Sequence, residues 1–252
     1  MAAPYTDLAA GYDAVMAHVD YPMWAGYVRG LLRRHASGAR SVTELGCGTG
    51  ALARALQPLG PAPDGFDYRA FDGSPAMVAV ARAAEGGAGR SVRFGVADFR
   101  EPVPAPPADA VVLVYDGLNY LLDEAEVAAL LGHVAGALVP GGVAVVDQST
   151  PANSLGNADG FDDAGDAGPF RYVRRSRYDA GTGLHTTTFT LTRPDGSRTT
   201  ETHVQRAYAL GTVRALVAAS PLEEVAAYDG FSAEPATDET ERVHWVLRRP
   251  AR

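Results

Sequence analysis

The chain has 252 residues, is 46% hydrophobic and carries a formal net charge of -8, enough apolar material for one large domain or two small ones. That acidic balance, with no long Lys/Arg run, argues against nucleic-acid binding, which rests largely on cations set against phosphates. One cysteine, Cys47, excludes an internal disulfide; the start lacks a basic-then-apolar leader and no apolar run approaches the roughly 18 residues of a membrane span, so a cytoplasmic protein without a membrane partner is expected.

In chain order, residues 20–36 place Trp24, Tyr27, Val28, Leu31 and Leu32 on one helical face. "SVTEL" is a short apolar strand ending at Gly46, Gly48 and Gly50, and "GALARAL" opens a helix. "GPAPDG" reads as a turn and "FDYRAFDGS" as a second strand, after which Ser74 and Pro75 mark a helix start as N-cap and first residue. That helix runs to "EGGAG"; "VRFGVADF" is a third strand and "EPVPAPP" a loop. "ADAVVLVY" reads as a buried strand, and Asp123 with Glu126 form a capping-box-like pair before "VAALLGHVAGAL". "PGG" closes that helix before a fifth strand, "VAVVDQ". The alternation predicts a parallel sheet with helices on both faces, and ligands bind such sheets beyond the carboxyl ends of the strands. The glycines, Asp72, Asp98 and Tyr115 all fall there.

The pattern then changes. Residues 151–169 are polar, Gly/Asp-rich and without periodicity, which predicts a structureless lid or loop. Three threonine-dense β-segments follow, 170–178, 184–193 and 197–208, with turns at "DAGTG" and "PDG". A short helix, "TVRALVAAS", and two strands, "EEVAAYDGF" and "RVHWVLRR", complete the chain as given.

The local glycine pattern permits two ligands. Gly46, Gly48 and Ala51 satisfy the G-x-G-x-x-A form of a nicotinamide dinucleotide site. Glu44 just before them is useless to a phosphate and suited to a cationic or hydroxyl-rich ligand. Taken together, "ELGCGTG", "FDGSPAM", "VADF" and "LVPGG", in this order and spacing, resemble the class I S-adenosylmethionine-dependent methyltransferases, from about Tyr12 to Asp147. The ends resemble the small-molecule branch of that family, which methylates amines, amino sugars and bacterial natural products. The resemblance implies an α/β Rossmann-like fold with a seven-stranded mixed sheet in order 3-2-1-4-5-7-6. It divides the chain into an N-terminal helical cap (1–40), a cofactor-binding core (41–150), an antiparallel insertion serving as lid or dimer interface (151–210), and a last helix with two strands that complete the sheet (211–252).

S-adenosylmethionine joins an adenosine to a sulfonium and an amino-acid tail. Gly46, Cys47 and Gly48 let the tail and ribose lie on bare backbone. Glu44 answers the positive end directly or through water. Asp72, 22 residues beyond Gly50, is placed to hold the ribose diol, with Gly73 beside it. Met77 covers the adenine, Asp98 accepts from its amino group next to Phe99, and Tyr115 follows the fourth strand. Tyr12 and Trp24 close over the cofactor or anchor the cap helix. For the acceptor, "VYDGLNYLL" departs from the N-P-P-Y sequence of nucleobase and glutamine methylation, so a small molecule is expected, its nitrogen favoured over oxygen. Candidate catalytic residues are Asp116 and His203, and candidate acceptor contacts are Asn119, Tyr120, Arg206 and Tyr208. His203 and Arg206 have opposite strand parity and cannot share a cleft without a bulge; Arg206 can instead pair with Glu201 or Glu223. No Cys/His cluster has metal-ligand spacing. The rival readings are an O-methyltransferase with His203 or Asp116 as base, a cofactor-binding relic acting as a cyclase or binding protein, and a dehydrogenase. A monomer or homodimer fits equally.

Overall fold

The computed structural model describes residues 4–57, 65–85, 92–156 and 162–251. Eleven strands alternate with seven α-helices among these residues. The strands are β1 Ser41–Leu45, β2 Asp67–Asp72, β3 Val92–Val96, β4 Ala108–Leu113, β5 Leu138–Ser149, β6 Asp163–Asp166, β7 Arg171–Asp179, β8 Leu184–Thr192, β9 Arg198–Arg206, β10 Glu223–Asp229 and β11 Arg242–Arg248. The helices are α1 Tyr12–Val15, α2 Tyr21–His35, α3 Ala51–Leu56, α4 Pro75–Glu85, α5 Glu124–Ala137, α6 Pro151–Gly156 and α7 Leu210–Ala218.

Seven strands form one sheet in the order β3-β2-β1-β4-β5-β11-β10, which is the expected arrangement, β10 and β11 taking the sixth and seventh places. The first five are mutually parallel, and β11 runs antiparallel to both β5 and β10. Strand β4 is buried on both faces because helices cover both. On one side α5 and α7 bring Leu130, Leu131, Val134 and Val213 against Trp245. On the other, α2 and α3 bring Trp24, Val28, Leu32, Leu52 and Leu56. The caps follow their local sequence: Ser74 Oγ accepts from Met77 N, and Asp123 Oδ1 accepts from Glu126 N while Glu126 accepts from Leu122 N.

Two expectations change. Helix α5 ends at Ala137 and β5 starts at once, running through "PGG"; Gly141 turns the strand at φ +82, and the β4–β5 register shifts between Ala108 and Ala110. Residues 151–169 are not structureless where described, since α6 and β6 lie within them, so the antiparallel sheet has four strands, β6-β7-β8-β9, rather than three. Strand β6 has no strand-like pattern of its own. It is held by its ladder with β7, by Arg174 donating to both oxygens of Asp163, and by Ser176 N donating to Asp162. The turn expected at 60–65 and the helix end expected at 85–89 lie mostly outside the described residues.

One face of this smaller sheet packs on the N-terminal segment, where Leu8, Val15, Phe170, Phe189 and Leu191 form a third core. Among the described residues no helix is long and apolar enough to cross a membrane.

Candidate active site

The glycine turn leaves β1 with three left-handed residues, Gly46, Gly48 and Gly50, at φ +65, +54 and +76. A Cβ on Gly50 would lie 2.6 Å from the Phe94 ring, whereas one on Gly48 would meet nothing within 4 Å. Packing therefore demands one glycine, and at Gly48 backbone conformation beside open space demands another. Asp72, at the end of β2, locks the turn: Gly48 N donates to one of its oxygens and Ser74 N to the other, each at 2.8 Å. Each oxygen keeps a lone pair for a ligand.

Glu44 lies beneath the turn, 3% exposed, and accepts from the Tyr68 hydroxyl at 2.8 Å. Burial pushes its carboxyl up to about 8; the Tyr68 bond opposes that shift and the charge of Asp72 adds to it. Asp98, two residues past β3, accepts from Arg100 N at 2.9 Å. These three carboxylates line a single cavity of about 310 Å³, with Gly46, Cys47, Gly48 and Gly73 as its backbone floor and Met77 and Phe99 at its side. Tyr12, Trp24 and Tyr115 also line it.

A second, larger cavity of about 580 Å³ lies between this core and the antiparallel sheet. Its lining is polar, with Asp116, Asn119, Ser154, Arg174, His185 and His203 among its residues. Four tyrosines, Tyr5, Tyr12, Tyr115 and Tyr120, line both cavities and form the wall between them.

Tyr115 and Asp116 are consecutive non-glycine residues at φ +69 and +65, a conformation costing about 1–3 kcal/mol per residue. Three contacts hold them. Asp116 N donates to Asp147 Oδ1 at 2.9 Å. Arg242 on β11 donates to Asp116 at 2.6 Å and to Asp147, which is fully buried. The same guanidinium lies over the rings of Trp24 and Tyr115, 5.2 and 5.8 Å from their centroids. Burial raises the Asp147 carboxyl to about 6, against the pull of Arg242.

The remaining expected residues divide. His203, 3% exposed, faces the second cavity, with its Nδ1 2.9 Å from the Tyr120 hydroxyl and its Nε2 3.0 Å from Glu201. Asn119 reaches the same cavity, but its polar atoms are already engaged: Nδ2 donates to the carbonyls of Ser149 and Arg206, and Oδ1 accepts from Ser149 N. Arg206 lies outside both cavities and donates to the carbonyls of Leu122 and Thr182 rather than to Glu201 or Glu223, as its strand parity dictates. Tyr208 also lies outside them; past the end of β9 it turns into the core, where its hydroxyl donates to Leu121 O. The sequence reading overlooked Tyr5, Asp147, Glu201, Arg242 and Tyr21, which also lines the first cavity. Only Glu201 carried a signal, its place two residues before His203 on one strand face.

Residues 42–142 match the family model described as a methyltransferase domain. That stretch is similar to a methyltransferase domain. "Putative methyltransferase GWCH70_2453" of Geobacillus sp. (strain WCH70) is 31% identical over 144 residues, which are 57% of this chain and 56% of that protein. The chain thus spans about half the length of the curated relatives it matches. Its fold is that of an S-adenosylmethionine-dependent methyltransferase from Clostridium acetobutylicum ATCC 824, at 23% identity and a TM-score of 0.79 over 98% of this chain and 99% of the other. The sugar N-methyltransferase KedS8 from Streptoalloteichus sp. ATCC 53650 superposes at a TM-score of 0.73 with 22% identity, covering 99% of this chain and 95% of its own.

The first cavity suits S-adenosylmethionine and not a dinucleotide. The Gly48 amide, which a pyrophosphate would need, is already given to Asp72, and three carboxylates face the space. Among the described residues Arg100 is the one cation in its lining, and it is paired with Asp98 and Glu126. Among the described residues no group of three or more His, Cys, Asp or Glu could hold a metal ion.

Proposed function

We propose that the protein transfers a methyl group from S-adenosylmethionine to a nitrogen of a small polar metabolite such as an amino sugar, with oxygen as the lesser alternative. The observation that carries this reading is the pairing of a carboxylate-ringed cavity with a separate polar cavity across one tyrosine wall. Bound there, the cofactor would supply an electrophilic methyl carbon on a sulfonium. Asp72 would hold the ribose hydroxyls, Asp98 the adenine amino group, and Glu44 the cationic end. The acceptor would occupy the second cavity, which Asp116 and Arg242 line with Asp147 buried behind them; two carboxyl groups to one guanidinium give a cluster suited to an ammonium. The resemblance to a sugar N-methyltransferase over nearly the whole chain supports nitrogen and a hydroxylated acceptor. The antiparallel sheet would act as the lid of that cavity, and the segment before β1 as the cap of the other. In-line alignment of the acceptor with the methyl where the two cavities meet is the larger contribution, about 7–11 kcal/mol against roughly 3–5 for a base.

The test is incubation with methyl-labelled S-adenosylmethionine and a panel of amines, amino sugars and alcohols. Label is expected on a nitrogen. Binding of S-adenosylhomocysteine without transfer to any acceptor would support the relic reading instead, and NAD binding without S-adenosylhomocysteine binding would remove the cofactor assignment.

Glu44 makes cofactor affinity depend on pH. With its carboxyl near 8 in the free protein, it is mostly neutral at pH 7. A cationic ligand favours the ionised form, so binding at pH 7 should release a proton, and affinity should rise as pH increases toward about 8 and level off above it. Calorimetry of S-adenosylmethionine in two buffers of different ionisation enthalpy measures that proton. Identical enthalpies, and a flat affinity from pH 6 to pH 8, would exclude Glu44 as the partner of the charge.

A further inference from the structure

A hydrogen-bonded chain runs from the tyrosine wall into the antiparallel sheet, and its direction can be deduced from its buried end. Glu201 on β9 is 1% exposed. Its two oxygens accept from the backbone N–H groups of Tyr5, Asp7 and Leu8 and from His203. Burial favours the neutral acid, but the His203 bond and the amides of Tyr5 and Leu8 outweigh it and hold the carboxyl below its usual range. An ionised carboxylate only accepts, so the His203 Nε2 facing it carries a hydrogen, and in the tautomer that holds one ring hydrogen Nδ1 presents a lone pair. The Tyr120 hydroxyl, 2.9 Å from Nδ1, must then donate to it. The Tyr5 hydroxyl, bonded to Tyr120, must donate in turn to the Tyr120 oxygen. Every donor points toward Glu201. The one end left open as an acceptor is the Tyr5 oxygen, on the wall between the two cavities.

We propose that Tyr5, Tyr120, His203 and Glu201 form a proton relay that removes the acceptor's proton at the tyrosine wall and stores it on His203. The relay rests on the methyl-transfer reading above. Tyr5 is its catalytic residue, since it faces the acceptor, and the other three act through it. An acceptor arriving as R–NH3+ has no lone pair with which to attack. One N–H bond breaks, its electron pair stays on nitrogen, and the proton goes to the Tyr5 oxygen. The proton of Tyr5 passes to Tyr120 and that of Tyr120 to His203 Nδ1, leaving a neutral amine and an imidazolium facing the Glu201 carboxylate. The freed pair forms the carbon–nitrogen bond as the carbon–sulfur bond breaks with its pair on sulfur. Transfer leaves the nitrogen as R–NH2–CH3+, so the stored proton is the one the reaction releases; when product leaves, it passes back from His203 through Tyr120 and Tyr5 to solvent water entering the emptied cavity. Burial keeps both tyrosines neutral, with Tyr5 well above its ordinary value, so neither stores the proton itself. Strand β8 sets Thr187 opposite His203 and the Phe189 ring beside it; the titratable groups against the imidazole are Tyr5, Tyr120 and Glu201, His185 on the same face of β8 shares the cavity, and Asp116 and Asp72 act on the tyrosines through space.

The experiment compares wild type with Tyr5→Phe, Tyr120→Phe and His203→Gln, using the amine that wild type methylates in the labelled screen. The two phenylalanine variants keep the ring and its packing. Calorimetry with S-adenosylhomocysteine confirms an intact cofactor site in each variant. At pH 7 the relay predicts kcat lower by about 10²–10⁴-fold in all three variants. It also predicts that variant activity climbs with pH along the amine's own deprotonation, because an amine already neutral in solvent needs no relay. Loss of equal size at every pH, or a phenylalanine variant within about threefold of wild type, overturns the relay and leaves methyl transfer standing. Failure of wild type to methylate any acceptor overturns both.

Discussion

Replacing Asp72 with alanine is expected to weaken S-adenosylhomocysteine binding by at least about 10²-fold, since two hydrogen bonds to a charged group are worth roughly 1.5–3 kcal/mol each. The carboxylate has two tasks. Its oxygens lock the glycine turn through Gly48 N and Ser74 N, and their remaining lone pairs face the cavity, where a ribose diol would meet them. Alanine removes both. Asparagine is informative because its volume is unchanged: one of its two positions must then set an NH2 against a backbone N–H, so Asp72→Asn should approach the alanine variant. Calorimetric titration measures the loss, and the melting temperature separates it from unfolding. A dissociation constant within about threefold of wild type in a folded Asp72→Ala protein would remove the ribose assignment.

The second large effect is on stability. Substituting Arg242 by methionine should destabilise the protein by about 3–5 kcal/mol, the usual consequence of removing one partner from a buried ion pair. Asp147, with no exposed surface, would lose its cation and face Asp116 directly. The strained Tyr115–Asp116 pair would also lose the guanidinium that spans its carboxylate and its ring. At about 2–4 °C per kcal/mol for a chain of this size, melting should fall by roughly 10 °C. The pH dependence has a definite sign. The Asp147 carboxyl stands near 6 with Arg242 present and higher without it, so the part of the gap due to Asp147 should narrow as pH falls from the variant's higher midpoint to about 6 and vanish below it, where both forms are protonated. Adding Asp147→Asn to Arg242→Met should recover part of the loss, because an amide oxygen still accepts from Asp116 N. A variant melting within about 2 °C of wild type at pH 8 would show that the pair contributes nothing.

The two predictions draw on residues of very different legibility. Asp72 was visible because its surroundings are local: an apolar strand, a glycine turn, a second strand and the Ser74–Pro75 helix start follow one another within 35 residues. Strand ends in a parallel sheet fall on one edge, so Glu44, Asp72 and Asp98 converge wherever the pattern β-α-β-α-β holds. Arg242 had no such context. It reaches Asp116 only because β11 inserts antiparallel beside β5, opposite Ser149, and aims one long side chain past Asp147. Arg206 and Tyr208 were misplaced for a related reason. Alternation along β9 turns Glu201, His203 and Gln205 to one face and Arg206 to the other, while Tyr208 lies beyond the strand and is free to enter the core. Strand β6 was hidden because Asp-Ala-Gly-Asp is a poor strand by composition and depends on β7 for every ladder bond.

The amino-acid order alone determined the alternating strands and helices and the sheet edge at which Glu44, Asp72 and Asp98 meet, because turn chemistry, helix caps and apolar period act over a few residues and repeat along the chain, while the strand order followed from the family resemblance. The tertiary structure alone decided the second cavity. The tyrosine wall, the Asp116–Arg242–Asp147 cluster and the bonds from Glu201 to Tyr5 each join segments about 30 to 196 residues apart, and no local pattern encodes which distant side chain will supply a missing charge or hydrogen bond.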